Sequence, residues 1–199
     1  MSRATSQDGP RPAGRPRDPG ADEAILTATL DLLAEHGYAG VSTDRIAAAA
    51  GVGKATIYRR WGSKDEILVA AGQSLARGVP APDTGSLRDD LTHIAKGLAT
   101  VFAHPRTARL VAALAERMLH DEQLATALRS GFLAERRDAA RGALERARTR
   151  GEVRSDVDPE LAVDLLAAPF YYRVLITGGA VDDALAEQVV EVVLTWVGP

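Results

Sequence analysis

Cysteine is absent from the 199-residue chain, which removes disulfides, thiol catalysis and thiolate metal sites together. Also absent is any run approaching the roughly 20 apolar residues that a membrane span requires, and the basic N-terminus lacks the apolar core of a signal peptide. The expectation is a cytoplasmic protein with no membrane partner. Asparagine is missing, and arginine greatly outnumbers lysine. That bias reflects a GC-rich genome, so a single surface arginine carries little weight. No strand pattern competes anywhere, which points to an all-α protein. A general excess of positive charge is lacking too, since the formal net charge is -3. Affinity for nucleic acid must therefore come from locally arranged cations. Residues 1–65 hold nine Lys and Arg against eight Asp and Glu, and the remainder fifteen against nineteen.

What is present begins with an arm. Residues 1–20 carry Pro10, Pro12, Pro16 and Pro19 with almost no bulky apolar residue, so burial cannot offset the entropy of ordering them and disorder is expected. Inside this arm, Gly14-Arg15-Pro16-Arg17 is similar to the arginine-glycine-proline cores that lie in A·T-rich minor grooves. Arg15 and Arg17 are thus candidate DNA contacts, with a solvated basic tail as the equal alternative.

From Ala21 the apolar spacing turns helical, with Ile25, Ala28, Leu32 and Leu33 at steps of three and four, and Gly37 is expected to end that helix. A second, short helix capped by Ser42 or Thr43 buries Ile46, Ala47 and Ala50. Gly51 stands where a left-handed residue closes it, and Val52 anchors the turn. A third helix opens near Gly53 and Lys54, buries Ile57 and Trp61, and turns Lys54, Thr56, Tyr58, Arg59 and Arg60 outward. The spacing of Ala47, Gly51 and Ile57 is that of a helix-turn-helix.

The segment from Ile25 to Leu68 resembles the DNA-binding head of the tetracycline-repressor (TetR) family of bacterial transcriptional regulators. The resemblance is carried by Glu35-His36-Gly37-Tyr38, Ile46-Ala47, Ala50-Gly51-Val52, the Thr56-Ile57-Tyr58 of the recognition helix, and Ser63-Lys64-Asp65-Glu66-Ile67-Leu68. Trp61 stands where the family more often has Phe, and Arg60 where His or Tyr is frequent. The resemblance implies that Thr43, Tyr58 and Lys64 hold phosphates, while Lys54, Ala55, Thr56 and Arg59 face base edges or nearby backbone. Arg60 is a candidate DNA contact too, with a salt bridge or a loose phosphate contact as the equal alternative to base reading. Chemistry agrees: an arginine such as Arg59 can pair bidentately with guanine, and a threonine such as Thr56 can touch a thymine methyl. The head is placed at residues 21–67 and a C-terminal ligand-binding and dimerisation domain at 68–199.

In that second part, a fourth helix from about Ser63 to Arg77 should join head to body through Ile67, Leu68, Ala71 and Leu75. Residues 78–85 form a Pro/Gly-rich connector. Ser86 and Asp89 then make a capping-box start for a stripe of Leu87, Leu91, Ile94, Leu98 and Phe102. Pro105 opens a segment with Leu110, Leu114 and Met118. One long helix is expected from about Asp121 to Arg150, burying Leu124, Leu128, Phe132 and Leu144 behind a solvated run of charge. His93, His104 and His120 are scattered, and no metal or cofactor is expected.

The last two helices are apolar on two faces, which requires cover from two sides. The cover expected is a second copy meeting Leu161, Leu165, Tyr172, Leu185, Val189, Val192 and Trp196, and the resemblance implies the same four-helix dimer. The resemblance further implies a regulator, usually a repressor, released by a small effector. Ile94, Leu98, Phe102, Leu114, Met118, Phe132, Phe170 and Arg173 are candidate pocket residues for a largely apolar molecule. Arg173 needs a partner in so apolar a helix, either an acidic ligand or an acidic side chain such as Asp164 or Glu116, of this subunit or its mate. Pro169 is expected to bend its helix and open room beside Phe170. The body shows no paired nucleophile and base, no phosphate loop and no ligand-spaced metal cluster. The reading is a non-enzymatic regulator binding a pseudo-palindromic double-stranded operator as a homodimer. A ligand-independent architectural DNA binder, or a helical enzyme or carrier with a vestigial head, is the alternative.

Overall fold

The computed structural model describes residues 19–74 and 82–199; Arg15, Arg17 and Leu75 lie outside the described residues, as does the side chain of Phe132. Among the described residues the chain is a succession of α-helices without strands: α1 Pro19–Gly40, α2 Thr43–Ala49, α3 Lys54–Tyr58, α4 Lys64–Ser74, α5 Leu87–Ala103, α6 Pro105–Met118, α7 Glu122–Leu128, α8 Ala134–Arg150, α9 Pro159–Tyr172 and α10 Asp183–Val197. An N-terminal helix-turn-helix thus precedes a larger helical body, as the sequence predicts.

Short polar residues take up N–H groups at the helix starts. Ser42 accepts from Arg45, Ser63 from Glu66, Asp121 from Leu124, Asp158 from Glu160 and Asp182 from Leu185, each satisfying a donor that has no intrahelical acceptor. His104 caps α6 through Nδ1. Gly37 breaks α1 at φ 66°, and one further turn runs on to Gly40. Arg45 holds that turn by donating to the Gly40 carbonyl at 2.7 Å.

Two hydrophobic cores result. One combines Ile25, Leu33, Ile46, Ile57, Ile67 and Leu68 of the head with Leu110 and Leu114 of α6 and Leu124 and Leu128 of α7. The other is enclosed by α5, α8, α9 and α10, around Leu91, Phe102, Ala143, Leu166, Phe170 and Val190. Asp90, fully buried, ties the connector end to this second core. It accepts from the Thr84 N–H at 2.8 Å and hydroxyl at 2.7 Å, and Arg146 approaches at 3.4 Å. Burial alone would raise its pKa, but the Thr84 bonds and the Arg146 guanidinium hold it below the ordinary carboxylate value.

The single helix expected from Asp121 to Arg150 is interrupted. A π-helical turn at Arg129–Leu133 separates α7 from α8, and its added residue rotates everything after it by about 100°. Counted at about 3.6 residues per turn from Leu128, the inward line would pass Glu135, Ala139, Gly142 and Arg146. The buried residues of α8 are instead Ala140, Ala143, Leu144 and Ala147, one position later. Gly131 within the turn lies against α4, where a Cβ would stand 3.0 Å from the end of the Gln73 side chain. A second π turn, Arg173–Thr177, follows Pro169 by one helical turn and closes with Gly178 N–H donating to the Arg173 carbonyl at 2.8 Å.

The last helices divide their apolar residues more sharply than the sequence suggests. Leu185 and Val189, assigned to the dimer face, are core residues at 4% and 6% exposure, because α10 lies along α5 and presents them to it. Trp196 is half-buried against the same core. Leu161, Leu165, Tyr172 (59%) and Val192 (65%) are exposed, together with Leu175 and Ile176 (69%).

Candidate nucleic-acid interface and ligand cavity

The turn between α2 and α3 is set by Gly51 at φ 66° and by Val52 donating to the Ala47 carbonyl at 3.0 Å. Ile57, fully buried, pins α3 into the head core, and Trp61 is half-buried behind it rather than fully enclosed. This leaves Lys54, Ala55, Tyr58 and Arg59 exposed on one short helix, with Thr56 half-buried among them. Arg59 donates to the Thr56 hydroxyl at 3.2 Å, so the two residues expected to face bases already form one unit. Lys54 pairs with Asp44 at 2.7 Å, both exposed, a contact that solvent keeps weak and a phosphate can displace. Thr43 stands at the start of α2, behind the Ser42 cap. Arg60 is placed differently: its guanidinium pairs with Asp22 and ties α1 to the end of α3.

Lys64, expected on a phosphate, sits at the first position of α4, where Ser63 and Glu66 take up the Glu66 and Gly62 N–H groups. Its ammonium lies 3.6 Å from the centroid of the Tyr38 ring and donates to the Tyr38 carbonyl at 3.3 Å. Burial lowers its pKa. Tyr38 donates its hydroxyl to Asp65 at 2.6 Å. Burial first, and then that hydrogen bond, pushes the phenol up to about 12. On the body side, Arg117 of α6 reaches Asp65 at 3.5 Å and Asp121 at 3.1 Å, with its guanidinium 5.0 Å from the same ring. Lys64 is therefore oriented by a cluster that belongs half to the head and half to the body.

Next to Arg117, Met118 lies half-buried between the head core, against which it packs, and a cavity of about 800 Å³ that it helps to line. Ile94, Leu98, Gly97 and Val101 of α5, Leu133 of the π turn, Ala139 and Ala140 of α8, and Ala167, Tyr171 and Leu175 after them are among the residues of its wall. Of the candidate pocket residues, Ile94, Leu98 and Met118 line it. Phe102 and Phe170 do not: they stack on each other in the core at 6.5 Å between centroids, and Phe102 packs edge-on to Tyr171 at 4.7 Å and 71°. Leu114 is buried in the other core because α6 turns that face to the head. Arg173 bonds the Ala180 carbonyl across the second π turn, and within this chain Asp164 pairs elsewhere. Asp164 instead meets Arg137 at 2.5 Å, and Arg137 also holds Glu160 at 2.6 Å.

Sequence reasoning missed Arg136 and Tyr171. Arg136 lines the cavity half-buried, and burial lowers its pKa. Tyr171 is raised by burial, with the nearby Arg136 charge opposing that rise. The signal was the alanine spacing of α8, since Arg136 stands four residues before Ala140 and eleven before Ala147. It was obscured by the charge run taken as one solvated face. Among the described residues, no group of three or more His, Asp or Glu could hold a metal ion, and no helix is long and apolar enough to cross a membrane.

Comparison with known proteins agrees with this geometry over nearly the whole chain. Residues 25–71 match the model of bacterial regulatory proteins of the tetR family, and residues 81–193 that of the tetracyclin repressor-like C-terminal domain. The chain is 40% identical to the uncharacterised HTH-type transcriptional regulator YdeS of Bacillus subtilis, over 89% of each chain. It is 36% identical to the DNA-binding transcriptional repressor TetR of Mycobacteroides abscessus, over 86% of this chain and 90% of that one. A crystal structure of a TetR-family transcription regulator superposes with a TM-score of 0.71 at 33% identity, covering 90% of this chain and 99% of the other. The chain belongs to the TetR family of helix-turn-helix transcriptional regulators.

Proposed function

We propose that this protein is a cytoplasmic repressor that binds a pseudo-palindromic operator as a homodimer and releases it when a small, largely apolar molecule fills the body cavity. Residues 21–67 read DNA, and residues 68–199 hold the ligand and the second copy. The observation that carries this reading is the end of α6, where Arg117 grips Asp65 at the head while its neighbour Met118 lines the cavity. A ligand that displaces Met118 moves the residue that orients Lys64. Such a ligand acts only through a difference in affinity between the two arrangements. A coupling of about 1–3 kcal/mol weakens operator binding some 5- to 150-fold. The cavity also counts against a ligand-blind architectural role.

In the DNA complex, Thr43, Tyr58 and Lys64 hold phosphates and set the register, while Lys54, Ala55, Thr56 and Arg59 face the bases. Arg60 acts through its tie to Asp22. A second copy covers Leu161, Leu165, Tyr172 and Val192, and spaces the two recognition helices about 34 Å apart, one turn of DNA. Tyr172, Leu175 and Ile176 both line the cavity and belong to the exposed apolar stretch, so the same copy also narrows the cavity mouth. Selection of bound sites from random DNA tests the reading and should return a palindrome. Recovery of single half-sites, with sedimentation of a 21.1 kDa species at micromolar concentration, would overturn the dimeric part.

A further inference from the structure

From Ser42 to Lys64 the chain carries five basic residues, Arg45, Lys54, Arg59, Arg60 and Lys64, and a single acid, Asp44. A carboxylate on a surface that meets a polyanion lowers affinity for every sequence alike unless the DNA offers it a donor. Asp44 is the second residue of α2, directly after Thr43, and its Oδ2 lies 2.7 Å from Nζ of Lys54, the first residue of α3. The arginines are engaged elsewhere: Arg45 on the Gly40 carbonyl, Arg59 on the Thr56 hydroxyl and Arg60 on Asp22. Both side chains of the Asp44–Lys54 pair stay more than half exposed, at 62% and 57%. An acceptor and a donor thus stand side by side at the start of the recognition helix, open to a third molecule.

We propose that Asp44 determines specificity: its carboxylate accepts from the N4 amine of a cytosine while Lys54, held beside it, donates to the guanine of the same base pair. This rests on the reading of α3 as the base-facing helix. In the major groove guanine shows the acceptors O6 and N7, and cytosine shows the N4 donor. O6 and N4 hydrogen-bond each other across the pair, so they lie side by side at about 2.9 Å, close to the separation of the Asp44 and Lys54 atoms. An ionised carboxylate only accepts, so thymine and guanine, which offer it acceptors there, repel it. Adenine sets its N7 acceptor beside the N6 amine, which opposes the second carboxylate oxygen, and cytosine has no such acceptor. On other sequences Lys54 can leave for a phosphate only by stranding Asp44 against the polyanion, which lowers sequence-independent binding. The carboxylate acts against wrong DNA as well as for the operator.

Gel-shift competition with the full chain tests the proposal, using the duplex that the parent chain selects from random DNA, its single-pair variants, and a scrambled duplex of the same length and composition. Asp44→Ala should lose roughly 5- to 100-fold discrimination at one G·C pair. It should also bind the scrambled duplex more tightly, with a log-log salt slope steeper by about one as Lys54 moves to a phosphate. Asp44→Asn should exchange the cytosine preference for adenine, because an amide matches the N6 and N7 edge of adenine with an acceptor and a donor together. Lys54→Ala should relax the same pair as Asp44→Ala. A purely structural role at the start of α2 would lower melting temperature and affinity for all duplexes in step and leave every preference in place, which overturns the proposal. Losses by Asp44→Ala and Lys54→Ala at different pairs overturn it too. If Arg59→Ala relaxes its own base pair while Asp44→Ala relaxes none, only the proposal for Asp44 falls. If none of the three alanine variants alters any preference, the reading of α3 as base-facing falls with it.

Discussion

The two cores of this molecule are built from different side chains. Among the described residues, the head core with α6 and α7 buries four isoleucines, nine leucines, one valine and two alanines, whereas the body core buries seven alanines, seven valines, six leucines and two phenylalanines and no isoleucine. Large branched residues interdigitate around three short helices that could not persist alone. Small residues let α5, α8, α9 and α10 approach where they touch, and Gly97, Ala139, Ala140 and Ala167 leave the adjoining space open as the cavity. One core holds a reading surface still, and the other leaves room for a ligand. The larger share of small residues, seven alanines against two, is what distinguishes the core beside the cavity.

The comparison can be broken first at its most packed point. Phe170→Ala should cost about 3–5 kcal/mol by urea unfolding, whereas Leu175→Ala, which already borders open space, should cost under about 1 kcal/mol. Equal losses would mean that the cavity is filled in solution. Asp90→Asn should cost about 1–3 kcal/mol by leaving part of its buried network unmade. Because the folded pKa of Asp90 is depressed, its contribution is present above the unfolded value of about 3.9 and is lost as pH falls through the folded value. The variant should therefore lose stability less steeply below about pH 4 than the parent.

On the head the effects move from stability to affinity. Arg59→Ala should relax discrimination at one base pair by about 1–3 kcal/mol in gel-shift competition, with thermal stability within about 0.5 kcal/mol of the parent. A uniform loss across all sequences would instead place Arg59 on phosphate. The smallest expected change is at the junction. Arg117→Met should alter operator affinity without ligand by less than about 1 kcal/mol, since the pair is partly exposed, yet diminish the ligand-induced release. Release of unchanged size would show that the two cores communicate by another route.

How much was legible follows from where each determinant lies along the chain. The caps at Ser42 and Ser86, the break at Gly37 and the turn at Gly51 depend on residues within one helical turn of each other, and sequence reading places all of them. Ile94, Leu98 and Met118 reach the cavity because each sits on a stripe whose phase is unbroken. Phe102, Phe170 and Leu114 show the limit of that reasoning: an inward-facing residue is evident from its spacing, but whether it meets another side chain or empty space depends on a different helix.

By itself, then, the sequence determined the helix-turn-helix, the all-α architecture and the residues that α3 presents outward, since short-range spacing and capping decide those. Tertiary structure alone decided that Arg60 turns to Asp22, that Leu185 and Val189 face α5 rather than a second copy, and that Arg136 enters the cavity. The last of these rests on one added residue in the π turn at Arg129–Leu133. No local preference in that stretch announces the turn, and it is the packing of α4 against Gly131 on one side and the alanine line of α8 on the other that gives it a place.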